Sequence, residues 1–336
     1  MNEVNLLTPT NVREICSALH IQPTKTLGQN FVHDAGTVRK IVSAANVSEG
    51  EHVLEIGPGL GSLTLGLLEG GARVTAIEID PVLATALPAT VQGHAPGAPL
   101  RVLHSDALKV RSIERLNEAK FADGSTEQWE APTRLVANLP YNIAVPLVLG
   151  VLEYFPTITQ LLVMVQTEVA QRLSAQPGSK IYGVPSVKVA WYGHAELAGS
   201  ISRNVFWPVP NVDSSLVRIT RYDADEPGGG AQAPDTAGVD RDLLFEIVDV
   251  AFAQRRKTLR SALKKWAGGA EQAETLLAQA DIDPQKRGET LGIDQFLALA
   301  RAAQSRATAS GAAHSRASES GAAESGAAAG VEGDAQ

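Results

Sequence analysis

Short apolar runs rich in β-branched residues alternate with helical stretches up to about residue 220, and this alternation limits the possible folds more than any other feature. Near-continuous apolar strands are expected where a sheet is covered on both faces. Strands separated by helices pair in parallel, which predicts a doubly wound α/β domain. The predicted parallel strands are Val53–Ile56, Val74–Glu78, Val102–His104, Leu135–Ala137 and Leu161–Val165. Two later runs, Val187–Tyr192 and Ser215–Thr220, predict an antiparallel hairpin that closes the sheet.

Changes in composition divide the chain into four segments. Residues 1–222 carry the strand and helix pattern, interrupted at 116–132 by a polar surface insertion. Residues 223–238 are rich in Pro, Gly, Ala and acidic side chains, which is typical of a linker. Helical periodicity over 239–301 predicts a small all-helical domain. Residues 302–336 are mostly Ala, Gly and Ser and cannot bury enough surface to fold, so we expect a disordered tail.

Charge balance and cysteine content exclude several classes of protein. With 29 Lys and Arg against 37 Asp and Glu, the formal net charge is -8, so any nucleic-acid site has to be a local patch. The single cysteine, Cys16, excludes an internal disulfide framework and argues against structural zinc, so we predict no metal. The N-terminus lacks the pattern of a secretory signal, and Asn and Pro residues interrupt the most apolar stretch. We therefore predict no membrane span and a cytoplasmic location.

A glycine-rich turn follows the first predicted parallel strand and indicates a ligand site. Gly57, Gly59 and Gly61 stand where the chain passes from strand to helix, and glycine lets a backbone turn tightly beside a ligand. The spacing is G-x-G-x-G, with Ser62 where a dinucleotide fingerprint has its third glycine and with Glu55 just ahead. A pyrophosphate needs the bare helix N-terminus, whereas S-adenosylmethionine presents an ammonium, a carboxylate and a ribose. The pattern therefore favours S-adenosylmethionine over a nicotinamide dinucleotide.

Two carboxylates follow the next two predicted strands. Glu78 ends the second strand, where it can accept hydrogen bonds from both ribose hydroxyls of a nucleoside cofactor. Asp106 follows the third strand and can accept from the adenine amino group. The alternative is that both carboxylates only cap helices. Gln29 and Asn30, in a polar run near the N-terminus, are further candidates for contact with cofactor or RNA.

A reaction motif, Asn138-Leu139-Pro140-Tyr141, follows the fourth predicted strand, at the sheet edge where α/β proteins bind ligands. It suits methylation of the exocyclic amine of adenine, which is a poor nucleophile because its lone pair is delocalised into the ring. The Asn138 side-chain oxygen and a neighbouring main-chain carbonyl can accept both amine hydrogens. Pro140 fixes the turn, and Tyr141 offers a face on which the base can stack. The alternative is a polar turn beside a core aromatic residue.

Phe206 is a second aromatic candidate, because it precedes a proline-rich loop that leads into a strand. It is predicted to close on the other face of a flipped base and so to recover part of the cost of extruding that base. The alternative is a hydrophobic plug between domains.

A basic patch lies between Gln254 and Trp266, with six positive residues and no acidic one. Side chains along one helical face can contact phosphates without reading sequence. The residues predicted to bind RNA are Arg255, Arg256, Lys257, Arg260 and Lys264. The alternative is a solvated helix face.

Taken together, these motifs resemble those of the KsgA (RsmA) family, the dimethyltransferases that modify two adjacent adenines near the 3′ end of small-subunit ribosomal RNA. The resemblance covers about residues 24 to 300. The segments that carry it are Thr26–Phe31 with Asp34, Gly57–Gly61, Glu78, Asp106, Asn138–Tyr141, Pro177–Gly183, Phe206–Ser214 and Arg255–Arg260.

The resemblance implies a Rossmann-like, S-adenosylmethionine-dependent methyltransferase fold, with a mostly parallel doubly wound sheet and a small C-terminal all-helical domain. The implied activity is dimethylation of two adjacent adenosines in the 3′-terminal hairpin of 16S ribosomal RNA. The implied partner is the small-subunit (30S) precursor particle, with the helical domain helping to dock the enzyme; we expect a monomer. The residues implied to line the cofactor site are Asn30, Val32 (through main-chain atoms), Gly57, Glu78, Asp106 and Asn138.

Three alternatives stay open at this point. The nearest is the sister family of large-subunit (23S) ribosomal RNA adenine methyltransferases that confer macrolide resistance, although the Leu-Gly-Gln-Asn-Phe form near the N-terminus favours the small-subunit enzymes. A non-catalytic ribosome-assembly or transcription factor is disfavoured by the intact Asn138 and Tyr141. A nicotinamide dehydrogenase is disfavoured by the glycine spacing.

Overall fold

The structure is a computed structural model that describes residues 4–21, 30–223 and 232–308. The chain forms two compact units. The first consists of Met1–Gln176 and Ile181–Ala233, and the second of Pro177–Lys180 and Pro234–Gln336. Part of the predicted linker and most of the predicted tail, 224–231 and 309–336, lie outside the described residues.

The first unit is built on a twisted sheet. Its strands are β1 (Phe31–Val32), β2 (His52–Ile56), β3 (Arg73–Glu78), β4 (Leu100–His104), β5 (Lys120–Phe121), β6 (Arg134–Asn138), β7 (Gln160–Gln166), β8 (Gly193–Ile201), β9 (Phe206–Trp207) and β10 (Ser214–Arg221). The main sheet has the order β5-β4-β3-β2-β6-β7-β10-β8, and β1 and β9 form a separate antiparallel pair. The central strands β4, β3, β2, β6 and β7 are parallel, whereas β5, β10 and β8 are antiparallel to their neighbours. The predicted α/β class and its five parallel strands are confirmed.

Helices cover both faces of the sheet, as the apolar strands require. They are α1 (Pro9–Ala18), α2 (Ala35–Ala45), α3 (Ser62–Glu69), α4 (Pro81–His94), α5 (Ile113–Leu116), α6 (Ala144–Tyr154), α7 (Thr167–Leu173) and α8 (Val184–Ala190). Side chains that alternate along each strand enter two separate cores: Val53 packs in one cluster and Leu54 in the other. Each fully buried Val, Leu or Ile contributes about 1.5–3 kcal/mol, so both layers stabilise the sheet.

Local signals in the sequence set the helix starts next to the strand ends. Asp34 caps α2 through Thr37, and Asp80 accepts from Val82 and Leu83 at the start of α4. Asp34 follows β1 and Asp80 follows β3 within two residues, so the connections from strand to helix are short.

The predicted strand at Val187–Tyr192 is wrong. These residues belong mostly to α8, where Pro185 occupies the first turn and the Ser186 hydroxyl accepts from the Gly183 N–H. Val187 and Val189 are buried as parts of an apolar helix. A short apolar run has no periodicity that separates a buried helix from a strand, which explains the error.

The first strand of the closing hairpin is instead β8, which the sequence did not predict because it is rich in Gly and Ala. Pairing with β10 imposes the extended conformation on it. At Gly193, an added Cβ would lie 2.3 Å from the Thr220 carbonyl oxygen, so only glycine allows the two strands to approach this closely. The second predicted strand, Ser215–Thr220, is confirmed within β10.

The polar insertion at 116–132 is tied to the sheet by one buried aromatic residue. Trp129 is 7 % exposed and meets the His52 ring edge-on at 5.2 Å between ring centroids. The Arg101 guanidinium lies over the Trp129 ring at 4.6 Å. The insertion also supplies the edge strand β5.

The second unit is helical in its described part. Its helices are α9 (Arg241–Ala253), α10 (Leu259–Ala267), α11 (Ala270–Gln279) and a last helix, α12, over 293–308. Helix α12 continues beyond residue 301, where the sequence predicts the tail to begin. Ala302 and Ala303 are buried there, and Arg306 donates to the Ala267 carbonyl at 3.2 Å. These small residues extend the helical core without any large apolar side chain.

Candidate active site

A cavity lies beyond the carboxyl ends of β2, β3, β4 and β6. Because parallel strands end at the same edge, four loops that are distant in sequence meet there. Predicted site residues from each loop line its wall: Asn30, Val32, Gly57, Gly59, Glu78, Asp106, Asn138, Leu139, Pro140 and Tyr141. About 990 Å³ of space inside the cavity is free of protein atoms, part of it open to solvent.

The glycine turn forms one wall of the cavity with bare backbone. Gly57 and Gly59 have φ angles of 70° and 59°, in the left-handed region that favours glycine. The Gly57 N–H donates to the Ile77 carbonyl at 2.9 Å, which ties the turn to β3. Side chains at these positions would be strained and would occupy space beside the ligand site.

Glu78 is held rigidly at the end of β3. Its carboxylate is only 5 % exposed and accepts hydrogen bonds from the backbone N–H groups of Gly59 at 3.1 Å and Asp80 at 3.0 Å. An ionised carboxylate has about four acceptor sites, so two bonds leave capacity for a ligand. Asp106 lies in the cavity wall while its Oδ1 accepts from the Leu108 N–H at 3.0 Å, so it caps a short helix as well.

Burial makes this part of the cavity unfavourable for negative charge. It raises the pKa of Glu78, although the backbone N–H groups of Asp80 and Gly59 oppose the rise. It also raises the pKa of Glu55 to about 8, a rise that the hydrogen bond from Thr64 opposes and the nearby Glu78 charge reinforces. A cationic ligand would favour the ionised form of both carboxyl groups.

Asn138 ends β6 and points its amide in a defined direction. Its Nδ2 donates to the Asn30 carbonyl at 3.3 Å, which leaves Oδ1 as the atom able to accept from a substrate. The turn that follows is held by hydrogen bonds from Leu139 N–H to the Met164 carbonyl and from Ile143 N–H to the Pro140 carbonyl. The motif is thus a preorganised turn on a rigid strand.

Tyr141 lies next in this turn, half-buried, and its ring contributes to the cavity wall. Its hydroxyl is 2.9 Å from the Ser214 Oγ, on β10. Ser214 is part of the Phe206–Ser214 segment, but sequence analysis assigned it no role. The two residues lie close together because β10, which carries Ser214, is separated from β6 by only one strand in the sheet.

Of the predicted cofactor and catalytic residues that the structure describes, Gly61 and Phe206 are not in the cavity wall. Gln29 lies outside the described residues. Gly61 is buried at the N-cap of α3, with φ 95°. Phe206 is fully buried in the core, where its strand pairs with Val32. As placed, Phe206 has no face open to a base, and its role in stacking stays a prediction.

The predicted basic patch divides into paired and exposed residues. Arg255 forms an ion pair with Glu289 at 2.8 Å and also donates to the Lys180 carbonyl, while Arg260 pairs with Glu274. Within the described part of the chain, the exposed residues Arg256, Lys257 and Lys264 form no ion pair.

Two further basic residues, which the sequence analysis missed, stand beside this patch. The Lys286 carbonyl accepts from the Leu259 N–H at 2.7 Å, which brings the exposed Lys286 and Arg287 to the start of α10. No local sequence motif predicts that Lys286 lies near α10, because a hydrogen bond between distant parts of the chain brings them together.

Residues 4–21, 30–223 and 232–308 lack two further features. In these ranges no helix combines the length and apolar character needed to cross a membrane. The same ranges bring together no group of three or more His, Cys, Asp or Glu side chains able to hold a metal ion.

A parallel sheet with helices on both faces, a glycine turn after its first strand and carboxylates beyond the next two define a Rossmann-like methyltransferase. The model of the family described as ribosomal RNA adenine dimethylase matches residues 21–305. The chain belongs to this family and is a ribosomal RNA adenine dimethyltransferase.

Curated relatives are similar over nearly their whole length. One from Bifidobacterium longum (strain NCC 2705) is 53 % identical over 305 residues, covering 90 % of this chain and 94 % of the relative. Another from Thermobifida fusca (strain YX) is 53 % identical over 300 residues, covering 89 % and 96 %. Both carry the name ribosomal RNA small subunit methyltransferase A.

Solved structures agree on the fold. A dimethyladenosine transferase from Plasmodium falciparum has a TM-score of 0.61 at 22 % identity, covering 80 % of this chain and 95 % of its own. The 23S rRNA methyltransferase ErmE has a TM-score of 0.55 at 26 % identity, covering 81 % and 99 %.

Proposed function

We propose that the protein uses S-adenosylmethionine to dimethylate the exocyclic amines of two adjacent adenosines in the 3′-terminal hairpin of 16S ribosomal RNA, on small-subunit precursor particles. The observation that carries the proposal is the Asn138–Tyr141 turn, which shares one cavity with Glu78 and Asp106. Two relatives of 53 % identity are named for the small subunit, which supports that choice of substrate.

The cavity fits the proposed cofactor by the chemistry of its wall. Glu78 keeps acceptor capacity for ribose hydroxyls, and Asp106 can accept from an adenine amine. The hydroxyl of Ser62, in the same wall, is buried and has no hydrogen-bond partner within the described residues. A polar ligand would supply that partner.

The residues proposed to hold the cofactor are Asn30, Val32, Gly57, Gly59, Glu78 and Asp106, with Gln29 and Gly61 as further candidates from the sequence. Glu78 binds the ribose and Asp106 the adenine, while the glycine turn gives the amino-acid portion close access to the backbone. S-adenosylmethionine, when bound, supplies a methyl group on a positively charged sulfur.

The turn after β6 is proposed to prepare the target amine. Asn138 Oδ1 accepts one amine hydrogen, because its Nδ2 is already committed to Asn30. We assign the second contact to the carbonyl of Leu139, which directly follows Asn138; the Pro140 carbonyl already accepts from the Ile143 N–H, which leaves it one lone pair. Together these acceptors draw the amine out of conjugation and aim its lone pair at the methyl group. The methylated amine then loses its proton readily, so the chain needs no strong general base.

Substrate stacking is proposed to depend mainly on Tyr141, with Phe206 contributing only if it leaves its buried position. RNA docking is proposed to use the exposed basic residues of the helical unit. Salt-dependent contacts with phosphates, which need no sequence reading, are the expected mode. The residues proposed for these contacts are Arg256, Lys257 and Lys264, with the ion-paired Arg255 and Arg260 as further candidates from the sequence.

Methyl transfer to three substrates tests the proposal. Labelled S-adenosylmethionine is supplied with undermethylated small subunits, fully methylated small subunits or protein-free 23S ribosomal RNA. Label on the undermethylated small subunits alone is the expected result. Label on 23S RNA alone would move the protein to the activity named for ErmE, and no label on any RNA would favour a binding factor without catalysis.

A further inference from the structure

The hydroxyl of Tyr141 has one partner in this structure that the reaction scheme does not use. Its oxygen is 2.9 Å from the Ser214 Oγ. Tyr141 lies in a turn, where its ring can rotate about two side-chain torsions unless a contact fixes it. The hydrogen bond to Ser214 restrains the ring at its outer end.

Ser214 is a fixed point on the sheet. It is completely buried and begins β10, which pairs on both sides: Ser214 is opposite Gln166 of β7 and Ile201 of β8. The preceding residue is also held, since the Asp213 carbonyl accepts from both the N–H and the hydroxyl of Thr167. A contact with Ser214 therefore transmits the rigidity of three strands to the Tyr141 ring.

The protonation states allow this bond. Burial raises the pKa of the Tyr141 phenol, although the hydrogen bond with Ser214 opposes the rise. The phenol therefore keeps its proton at neutral pH, and either hydroxyl can donate to the other.

We infer that Ser214 is a positioning residue for methyl transfer: its hydroxyl fixes the Tyr141 ring in the orientation that stacks the target base. The inference rests on the proposed function, because it assumes that Tyr141 stacks the base. Ser214 touches neither cofactor nor substrate and acts only through Tyr141.

The neighbouring residue provides a matched control. Ser215 is also buried, at 6 % exposed, and lies on the same strand, but successive side chains of a strand point to opposite faces. Its hydroxyl is 2.9 Å from the Thr167 Oγ1 and does not contact Tyr141. Ser215→Ala thus removes a similar buried hydroxyl with a similar effect on stability.

The test compares Ser214→Ala, Ser215→Ala, Tyr141→Phe and the double variant Ser214→Ala with Tyr141→Phe on undermethylated small subunits. Loss of one buried hydrogen bond predicts about a three- to tenfold lower kcat for Ser214→Ala, with unchanged affinity for S-adenosylmethionine. Tyr141→Phe should lose the same amount, and the double variant no more than either single change. Ser215→Ala should keep kcat within about twofold. Thermal unfolding of the variants without substrate separates stability from positioning.

Two results would overturn the inference while the wild type stays active. One is normal turnover of Ser214→Ala. The other is a further loss of kcat when Ser214→Ala is added to Tyr141→Phe, or an equal loss of kcat in Ser215→Ala. In either case the effect of Ser214 would not pass through the Tyr141 hydroxyl. A wild type that methylates no RNA would overturn the proposed function and this inference together.

Discussion

Replacement of Glu78 by Gln should separate cofactor binding from folding. The change keeps the size of the side chain and removes its charge. In the wild type the carboxylate oxygens accept from the Gly59 N–H at 3.1 Å and the Asp80 N–H at 3.0 Å, and the Ile79 N–H also favours the charged carboxylate. A glutamine has one acceptor oxygen, so its NH₂ group must face one of these donors or turn into the cavity. In either case the acceptors left for ribose hydroxyls are fewer and uncharged.

The size of the effect follows from the bonds that are lost. A hydrogen bond to a charged group contributes about 1.5–3 kcal/mol, so Glu78→Gln should weaken binding of S-adenosylmethionine about ten- to a hundredfold. The free protein should change less, because the unpaired backbone donor is offset by removal of a buried charge whose pKa burial raises. Titration calorimetry measures the affinity, and thermal unfolding without ligand measures the stability.

Asp80→Asn is the matched control. It removes the same charge two residues further on, where the carboxylate caps α4 and does not line the cavity. Asparagine caps helices as well as aspartate, so stability and cofactor affinity should both stay near wild type. Unchanged affinity in Glu78→Gln would refute the assignment of this residue. An equal loss in Asp80→Asn would show that long-range charge, and not contact, controls binding.

Three further predictions concern the amine, the RNA and the fold. Asn138→Ala should bind the cofactor normally in calorimetry but lose about a hundredfold or more in kcat, because it removes an acceptor for the target amine; near-normal turnover would contradict its role. Changing Arg256 and Lys257 to Ala should lower the slope of log RNA affinity against log salt concentration by about 1–2. Adding Arg255→Ala should change the slope little, because that guanidinium is already ion-paired. An unchanged slope in the first variant would show that these side chains are only solvated and do not contact phosphates. Burial lowers the pKa of His52 to about 4 from an ordinary 6.5. The unfolded chain therefore binds a proton at His52 more readily, and the free energy of unfolding should fall by about 3 kcal/mol as the pH drops from above 6.5 to 4. Urea unfolding across this range should show a smaller fall in His52→Gln, and equal falls would rule out His52 as the cause.

Much of the fold could be predicted because its signals are local. The strands around Val53 and Val163 are continuous apolar runs, and only a sheet covered on both faces accommodates them. The turn at Gly57 and the polar residues that end later strands follow from the same topology, since parallel strands bring their carboxyl ends to one edge. The sequence therefore predicts the position of the cavity.

What could not be predicted depends on contacts between distant segments. The apolar pattern around Val187 is compatible with a helix and with a strand, and the chain forms a helix there. The segment of β8, which contains Gly and Ala, adopts a strand only because β10 pairs with it. The burial of Phe206 reflects the pairing of two-residue strands that have no sequence signal.

The partners of several polar side chains could not be predicted from the sequence either. The sequence predicts that Arg255 is one of several unpaired cations, but it forms an ion pair with Glu289, 34 positions further along the chain. Ser214 lies 73 positions from Tyr141, and nothing in its own motif points to that contact. Such partners are set by the sheet order and not by local periodicity.

We propose that the Asn138 turn holds adenosine amines of small-subunit RNA for methylation within the cavity bounded by Glu78. The most direct measurement is digestion of small-subunit RNA after reaction and identification of the modified nucleosides by mass spectrometry, with wild type and Asn138→Ala side by side. We predict dimethyladenosine at two adjacent positions near the 3′ end for the wild type, and about a hundredfold less or lower still at the same reaction time for Asn138→Ala, which still binds S-adenosylmethionine. Methylation on another base, on the ribose, or at a near-normal rate by Asn138→Ala would contradict this prediction.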